Sequence, residues 1–347
     1  MKVSIIILNY NGLLFNEVCL KTVYNQTYKD FEIIFVDNGS TDNSGKVIEL
    51  LFGSRKNFKY ISSGNNLGFT GGNNLGYKNS SGEYIVLLNN DTVVEPNWLE
   101  ELVKALETYE NAGLVQSLVF TDGIPKKYYE KNGTINFLGH NIMEIFPIDE
   151  NGKGEIFLAG GASLIFRKTL LGDKKEIFPD EYFLYSEDTY LSFFSIFSGF
   201  KNYHNAKSIV YHKGSGTTKK SKSSFVTYYQ ERNRFLNFLI FFPFLFLILL
   251  IPYFIFNILS KILLSLFKKK YSLFGIIRAH LWLTFHPGLI IKEREKIKPY
   301  KKIKYRLVLE YLTCKIFNGD NRFEIIINNL SAFYCNITGL KTVEFSK

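Results

Sequence analysis

A mostly parallel α/β sheet followed by an apolar helical region is the architecture that this chain of 347 residues predicts. Three observations carry that expectation. Short apolar runs alternate with helically spaced segments through the first third, which is the pattern of a doubly wound sheet. Each of those runs ends in a polar cluster, which suggests one shared binding edge beyond the carboxyl ends of the strands. No residue from Phe235 to Ser260 is charged.

The elements follow in order. Val3–Leu8 is a first strand, residues 14–25 carry apolar positions at helical spacing, and Glu32–Val36 is a second strand. Phe58–Ile61 precedes a block rich in Gly and Asn, and Tyr84–Leu88 reads as a strand buried on both faces. Residues 113–225 are more mixed, with Gly160-Gly161-Ala162 ahead of a short strand Ser163–Phe166. Phe238–Phe256 is nearly continuous Phe, Leu and Ile, long enough to cross a bilayer core. Pro243 and Pro252 complicate a straight helix, so a kinked, re-entrant or surface-lying segment stands beside the spanning one, and a helix buried in a soluble core is the remaining alternative. Lys and Arg flank it on both sides, which favours both ends facing the cytoplasm. Residues 271–291 form a second apolar stretch, and residues 292–306 are dense in Lys and Arg, either a contact for anionic head groups or a solvated basic face. The last forty residues carry no readable motif.

Hydrophobic residues make up 46% of the chain, 33 residues are Phe, and the net charge is +10. That balance points to anionic lipid, nucleic acid or a phosphorylated substrate. Nucleic acid is disfavoured, because the basic residues cluster around the apolar segments without interleaved aromatic stacking residues. Cys19, Cys314 and Cys335 form no CxxC pair, so neither a zinc site nor a disulfide framework is expected. Met1-Lys2 leads straight into the first strand rather than into an export core, which places the catalytic-looking part in the cytoplasm.

The chemistry concentrates at the strand ends. In Asn89-Asn90-Asp91 a carboxylate with amides beside it is placed to hold a hard cation against a phosphate, although a plain turn fits those residues equally well. Asp37, ending Glu32–Val36, can accept the imide N–H of a pyrimidine, while Ser40 or Thr41 can simply cap the next helix. The block from Asn65 to Asn74 puts Gly71 and Gly72 at a helix start, where free N–H groups suit a diphosphate. It has neither GxGxxG nor GxxxxGK[ST] spacing, so nicotinamide and P-loop sites are disfavoured.

Taken in order, Val3-Ser4-Ile5-Ile6-Ile7-Leu8-Asn9-Tyr10-Asn11-Gly12, Val36-Asp37-Asn38-Gly39-Ser40-Thr41-Asp42, Asn66-Leu67-Gly68-Phe69-Thr70-Gly71-Gly72 and Leu88-Asn89-Asn90-Asp91-Thr92 resemble the family 2 glycosyltransferases of the GT-A fold, rhamnosyltransferase-like branch. Gly160-Gly161-Ala162-Ser163, Tyr185-Ser186-Glu187-Asp188, Tyr211-His212-Lys213-Gly214 and Arg232-Asn233-Arg234 continue the likeness over roughly residues 1–300. The resemblance implies an inverting transfer of one sugar from a nucleotide diphosphate sugar (UDP-, dTDP- or GDP-linked) to an acceptor hydroxyl. It implies Asp37 on the base, Asp91 and His212 with a divalent cation, Mg²⁺ or Mn²⁺, and Asp188 as general base. Donor contacts would further come from Asn9, Asn38, Asn66, Gly71, Gly72, Asn90 and Arg232.

On this reading residues 1–230 are the catalytic domain, with a nucleotide-sugar half (1–112) and an acceptor half (113–230). Residues 231–300 are membrane-associated helices at the cytoplasmic face, and 301–347 an extension. A polyprenyl-linked saccharide is the expected acceptor. The metal motif departs from the family's acid-x-acid, having Asn89 where an acid is usual, and Tyr190 stands where a second acid often follows Glu187-Asp188. Gln230-Glu231-Arg232-Asn233-Arg234 is not the Gln-x-x-Arg-Trp signature of processive synthases, so one sugar per encounter is expected. Two other readings stand beside it. A sugar nucleotidyltransferase would need a basic phosphate-grasping loop, and Asn9-Tyr10-Asn11-Gly12 holds no cation. A non-catalytic membrane scaffold would have no need of Asp37, Asp91 and Asp188.

Overall fold

The computed structural model describes residues 2–121, 133–142, 149, 152–213, 223–267, 271–319 and 321–343. The strands are β1 (Val3–Asn9), β2 (Phe31–Asp37), β3 (Phe58–Ser62), β4 (Tyr84–Asn89), β5 (Thr92–Val94), β6 (Ala112–Thr121), β7 (Thr134–Ile135), β8 (Asn141–Ile142), β9 (Lys153–Ile156), β10 (Ser163–Arg167) and β11 (Lys201–His212). All but β7 and β8 join one sheet of order β3-β2-β1-β4-β10-β6-β11-β5, with β9 also on β11. The first four strands are parallel, as their apolar runs predicted. β10 then inserts between β4 and β6 and runs against both, so the second half is mixed.

Pleat alternation explains the two cores. Ile5, Ile7, Ile33, Phe35, Val86 and Leu88 point to one face, beneath α1 (Asn16–Tyr24), α2 (Ser44–Phe52) and α4 (Trp98–Thr108). Ile6, Ile34, Val36, Ile85 and Leu87 point to the other, which carries α3 (Gly68–Lys78), α5 (Glu187–Phe197) and α6 (Ser224–Phe241). α3 lies unusually close to β1. A Cβ on Gly72 would meet Leu8 Cδ1 at 2.3 Å, and one on Gly76 would meet Ile6 Cγ2 at 2.5 Å.

The long apolar stretch does not form one bilayer-crossing helix. It breaks at Phe242-Pro243 into α6, α7 (Phe244–Leu249) and α8 (Ile251–Phe267). Pro243 supplies no N–H and holds Phe242 extended, at φ −102° and ψ 151°. The carbonyls freed at the end of α6 find partners on the basic segment. Arg294 donates to Leu239 O and, at 2.7 Å, to Phe242 O, while Lys301 donates to Phe241 O at 2.7 Å and Ile240 O at 3.3 Å. Two of the cations expected to face head groups are therefore caps for a helix end.

Among the described residues no single helix is long and apolar enough to cross a membrane. One bent pair, Leu273–Phe285 with Pro287–Tyr300 at 69°, meets that length and composition together. These are α9 (Leu273–Phe285) and α10 (Pro287–Ile297) with the turn that follows. After α11 (Tyr305–Leu309), the motif-less C-terminal segment forms α12 (Arg322–Thr338). It docks on α8 through Tyr253 Oη and Ser331 Oγ, 2.7 Å apart, and on the end of α7 through Tyr334 Oη, which donates to Leu249 O at 2.9 Å. Apolar stripes remain exposed on three helices: Leu259, Leu263 and Leu266 on α8, Phe274, Leu281 and Phe285 on α9, and Phe323, Leu330 and Phe333 on α12.

Candidate active site

The carboxyl ends of β1 and β4 open onto a cavity of about 1020 Å³. Asn38, Asn66, Asn90, Asp91, Asp188 and His212 all line it. The sequence thus named residues from five separate segments that the fold brings to one place.

Its floor is a hydrogen-bonded amide network. Asn9, fully buried, donates toward Asp37 Oδ1 (3.0 Å), Ser40 Oγ (3.0 Å) and Ser44 Oγ (2.8 Å). Its Oδ1 accepts from Gly12 N, Asn16 Nδ2 and Asn90 Nδ2 at 3.1, 2.8 and 3.2 Å. Asn9 thus ties β1 to the starts of α1 and α2 and lies off the cavity lining. Asp37 also sits behind the cavity wall, buried, held by Asn9 and by Tyr60 Oη at 3.3 Å. Burial, then the Asp37 charge, pushes the Tyr60 phenol up to about 12, so it stays a donor. Gly45 is required here, because its Cβ would stand 2.3 Å from Asp37 Oδ2. Asn16 and Ser44 had no signal in the sequence beyond ordinary helix-start residues.

Asn38 bridges to the glycine block, donating to Gly68 O at 3.0 Å and Asn66 Oδ1 at 3.2 Å. Three N–H groups of that block are already engaged: Leu67 N on Asn38 Oδ1, Gly68 N on Asn66 Oδ1 and Thr70 N on Phe183 O. Gly71 and Gly72 lie outside the cavity lining, and the close approach of α3 to β1 accounts for Gly72. Arg232 also lies off the cavity. It is buried, stacks on Tyr229 and Trp282 at 4.7 and 4.6 Å, and donates to the carbonyls of Glu181 and Tyr182. These three therefore shape the site from behind.

At the end of β4, Asp91 Oδ1 stands 3.0 Å from His212 Nε2, contributed by β11, and Asn89 Nδ2 lies 3.3 Å from the same nitrogen. A carboxylate and an imidazole thus converge, an oxygen and nitrogen pair suited to a divalent cation. No group of three or more His, Cys, Asp or Glu fit to hold a metal occurs among the described residues.

The same cavity is lined by Asp188, the second residue of α5, whose Oδ1 accepts from Thr189 N at 2.7 Å. The turn before it is strained, with Phe183, Tyr185 and Ser186 at φ 58°, 70° and 60°. α6 clamps that turn. Asn233 Nδ2 donates to the carbonyls of Tyr182, Leu184 and Tyr185 at 2.9, 2.8 and 2.8 Å, and Asn237 Nδ2 to Ser186 O at 3.0 Å. Asn237 in turn accepts from Tyr182 Oη at 2.7 Å.

Burial, and then the Asp188 charge, pushes the neighbouring Glu187 carboxyl up to about 8. Near neutrality the Glu187 carboxyl is mostly protonated. Because the native pKa exceeds the ordinary 4.5, this group favours folding fully below pH 4.5 and loses that contribution as the pH rises to about 8. Glu187→Gln should therefore melt like the wild type at pH 4.5 and roughly 5 °C higher at pH 9, because an unfolding entropy of about 2.1 cal/mol/K per residue makes each kcal/mol worth only about 1.4 °C in a chain of this size. Equal melting temperatures at pH 9 would contradict the buried, destabilised carboxylate.

Comparison with known proteins gives the family. Residues 4–172 match the family model described as Glycosyl transferase family 2. An uncharacterised glycosyltransferase of Haemophilus influenzae is 30% identical over 254 residues, covering 66% of this chain and 75% of that protein. The chain belongs to glycosyltransferase family 2 and is a glycosyltransferase that uses a nucleotide sugar. It also resembles the GalNAc(5)-diNAcBac-PP-undecaprenol beta-1,3-glucosyltransferase of Campylobacter jejuni, with 28% identity over 184 residues, but covers only 56% of that protein's length and 52% of its own. The crystal structure of GalNAc-T7 with UDP, GalNAc and Mn²⁺ shares the fold, with a TM-score of 0.55 and 15% identity over 69% of this chain and 48% of that one.

Proposed function

We propose that this chain is a divalent-cation-dependent, inverting glycosyltransferase that adds one sugar to a hydroxyl of a lipid-linked saccharide. The observation that carries the reading is the placement of the Asp91–His212 pair and Asp188 on one cavity at the strand ends. Asp188 takes the proton as the acceptor oxygen bonds to the anomeric carbon, and the bond from that carbon to the diphosphate oxygen breaks on the opposite face. A single displacement inverts the centre and releases the nucleoside diphosphate. Asp91 and His212 would hold a cation, and the cation would neutralise charge on the departing diphosphate. Asn89 in place of an acid leaves one carboxylate there, which calls for weak, substrate-assisted metal binding. UDP and Mn²⁺ in the GalNAc-T7 structure support the donor and cation, and the undecaprenol-linked substrate in the name of the Campylobacter relative supports the acceptor class.

Thermal melts with UDP-, dTDP- and GDP-sugars, each with and without Mn²⁺, test the donor side. One nucleotide should stabilise the protein, by about 2.7 kcal/mol at a hundredfold excess over its Kd. Asp91→Ala should abolish the Mn²⁺-dependent part, and undiminished Mn²⁺ dependence would remove Asp91 from the metal site.

The exposed stripes of α8, α9 and α12 and the net charge of +10 support attachment to an anionic membrane at its cytoplasmic face. Removing residues 235–300 would not test this, because Leu236, Phe238 and Phe241 belong to the core. Leu259→Glu with Leu263→Glu should lower binding to anionic vesicles at least tenfold with an unchanged melting temperature. Full vesicle binding in that variant would refute the face.

A further inference from the structure

The hairpin of β7 and β8 stands apart from the main sheet, yet Ile135, Gly139, His140 and Asn141 line the cavity. It packs on the helix that holds the base-bearing turn. Arg234, beside the clamping Asn233, donates to Leu138 O at 3.2 Å, and a Cβ on Gly139 would lie 3.1 Å from Arg234 Cβ. A lone two-stranded hairpin is marginal by itself, so its shape depends on outside support. Phe157 N fixes its foot, donating to Gly133 O at 3.0 Å.

Its turn is held by the C-terminal segment. Asn136, fully buried, works in two directions. Its Oδ1 accepts from Leu138 N and His140 N, both at 3.0 Å, while its Nδ2 donates to Ile316 O at 3.2 Å. Thr313 N donates to Ile135 O at 3.1 Å, Thr134 Oγ1 donates to Tyr311 O, and Asn136 pairs with Thr313 as a parallel bridge. Asn328 of α12 repeats the device one step further out. Its Oδ1 accepts from Ile316 N and Phe317 N at 2.8 and 3.1 Å, and its Nδ2 donates to Phe317 O at 3.0 Å. Two asparagines therefore join α12 to the cavity wall.

Covering the core would need none of these bonds, because Leu312 and Cys314 already bury their side chains there. What directional, fully paired bonds add is a fixed shape. Among the described residues none beyond Tyr271 lines the cavity, so the segment acts on the site through the hairpin. On α12 the exposed Phe323, Leu330 and Phe333 lie roughly opposite Asn328, at about 100° per residue. The relay thus runs from an apolar outer face, where a lipid-linked acceptor would arrive, to a wall of the cavity that holds Asp188.

We propose that residues 311–317 and Asn328 are positioning residues for the acceptor, holding the β7–β8 hairpin as the acceptor wall of the cavity without touching the acceptor themselves. This rests on the glycosyltransferase reading above and gives its acceptor a wall and a support for that wall.

The test uses the full chain, a labelled nucleotide sugar that stabilises it in the melts above, and polyprenyl-linked saccharides extracted from the cells that make the protein. Thr134→Val and Asn328→Ala cut the relay at its two ends, so either variant suffices if the other does not fold. Each should raise the apparent KM for the extract about tenfold, with kcat within about threefold and the KM for the nucleotide sugar within about twofold. Tyr334→Phe is the control. It removes the bond from α12 to Leu249 O, and should lower the melting temperature while leaving both KM values alone. Relay variants that behave like the control, or that change kcat or the nucleotide-sugar KM without a selective rise for the extract, would reduce the segment to a structural prop and overturn the proposal. A wild type that binds the nucleotide sugar but transfers nothing to the extract would instead overturn the lipid-linked acceptor, and the proposal with it.

Discussion

Asp188→Asn should lower sugar transfer about 10³-fold, within the 10²–10⁴ range of general-base contributions, while donor binding stays within a few fold. The change keeps the size of the side chain and the hydrogen bond from Thr189 N, at 2.7 Å, and removes only the ability to take a proton. Glu187 is a poor substitute, because burial and the neighbouring acid keep its own carboxyl mostly protonated near pH 7. Single-turnover transfer and nucleotide-dependent melting, measured on the same preparation, separate the two effects. Wild-type turnover in the variant would end the assignment of Asp188 as base.

Asn233→Ala should cost both activity and stability. The amide serves three carbonyls of a turn whose residues Phe183, Tyr185 and Ser186 sit in the left-handed region. Leaving buried carbonyls without a donor costs about 1–3 kcal/mol for each group. Partial relaxation of the turn makes a loss of roughly 3 kcal/mol the expected total. Because that turn leads directly into Glu187-Asp188, transfer should also fall at least 10²-fold, a scale that a displacement of about 1 Å can produce. Denaturant midpoints and kcat, compared with Asn237→Ala, would check it; a stable, fully active Asn233→Ala would show that the turn holds its shape unaided.

The parallel half of the sheet was legible because its strands are continuous apolar runs ended by polar turns, and local sequence decides both. The strand limits shift by one residue at most, as with β4 ending at Asn89 rather than Leu88. Position at a strand end was equally legible, and it led to Asp91, Asn90 and Asn38. What sequence could not separate was contact from support. Asn9, Asp37, Gly72 and Arg232 read as ligand contacts, yet a buried amide network, a helix packed close to a strand and a stacked guanidinium place them behind the cavity. Those roles depend on partners distant in sequence. The apolar run misled for a related reason: composition reports burial, and Phe238 is as buried in a protein core as it would be in lipid. Asn233, the residue that clamps the base-bearing turn, was invisible beside its two arginines.

The caps at the end of α6 also set an order of events during synthesis. Asn233 and Asn237 hold the turn before Asp188, and Arg294 and Lys301 hold the helix that carries both asparagines. The strands of the donor half are complete some two hundred residues earlier, at Asn89. At about 5–20 residues per second, the donor half would exist for roughly 10 s or more before its catalytic partner is locked in place. On the proposed function, the growing chain would have its nucleotide cradle well before its base.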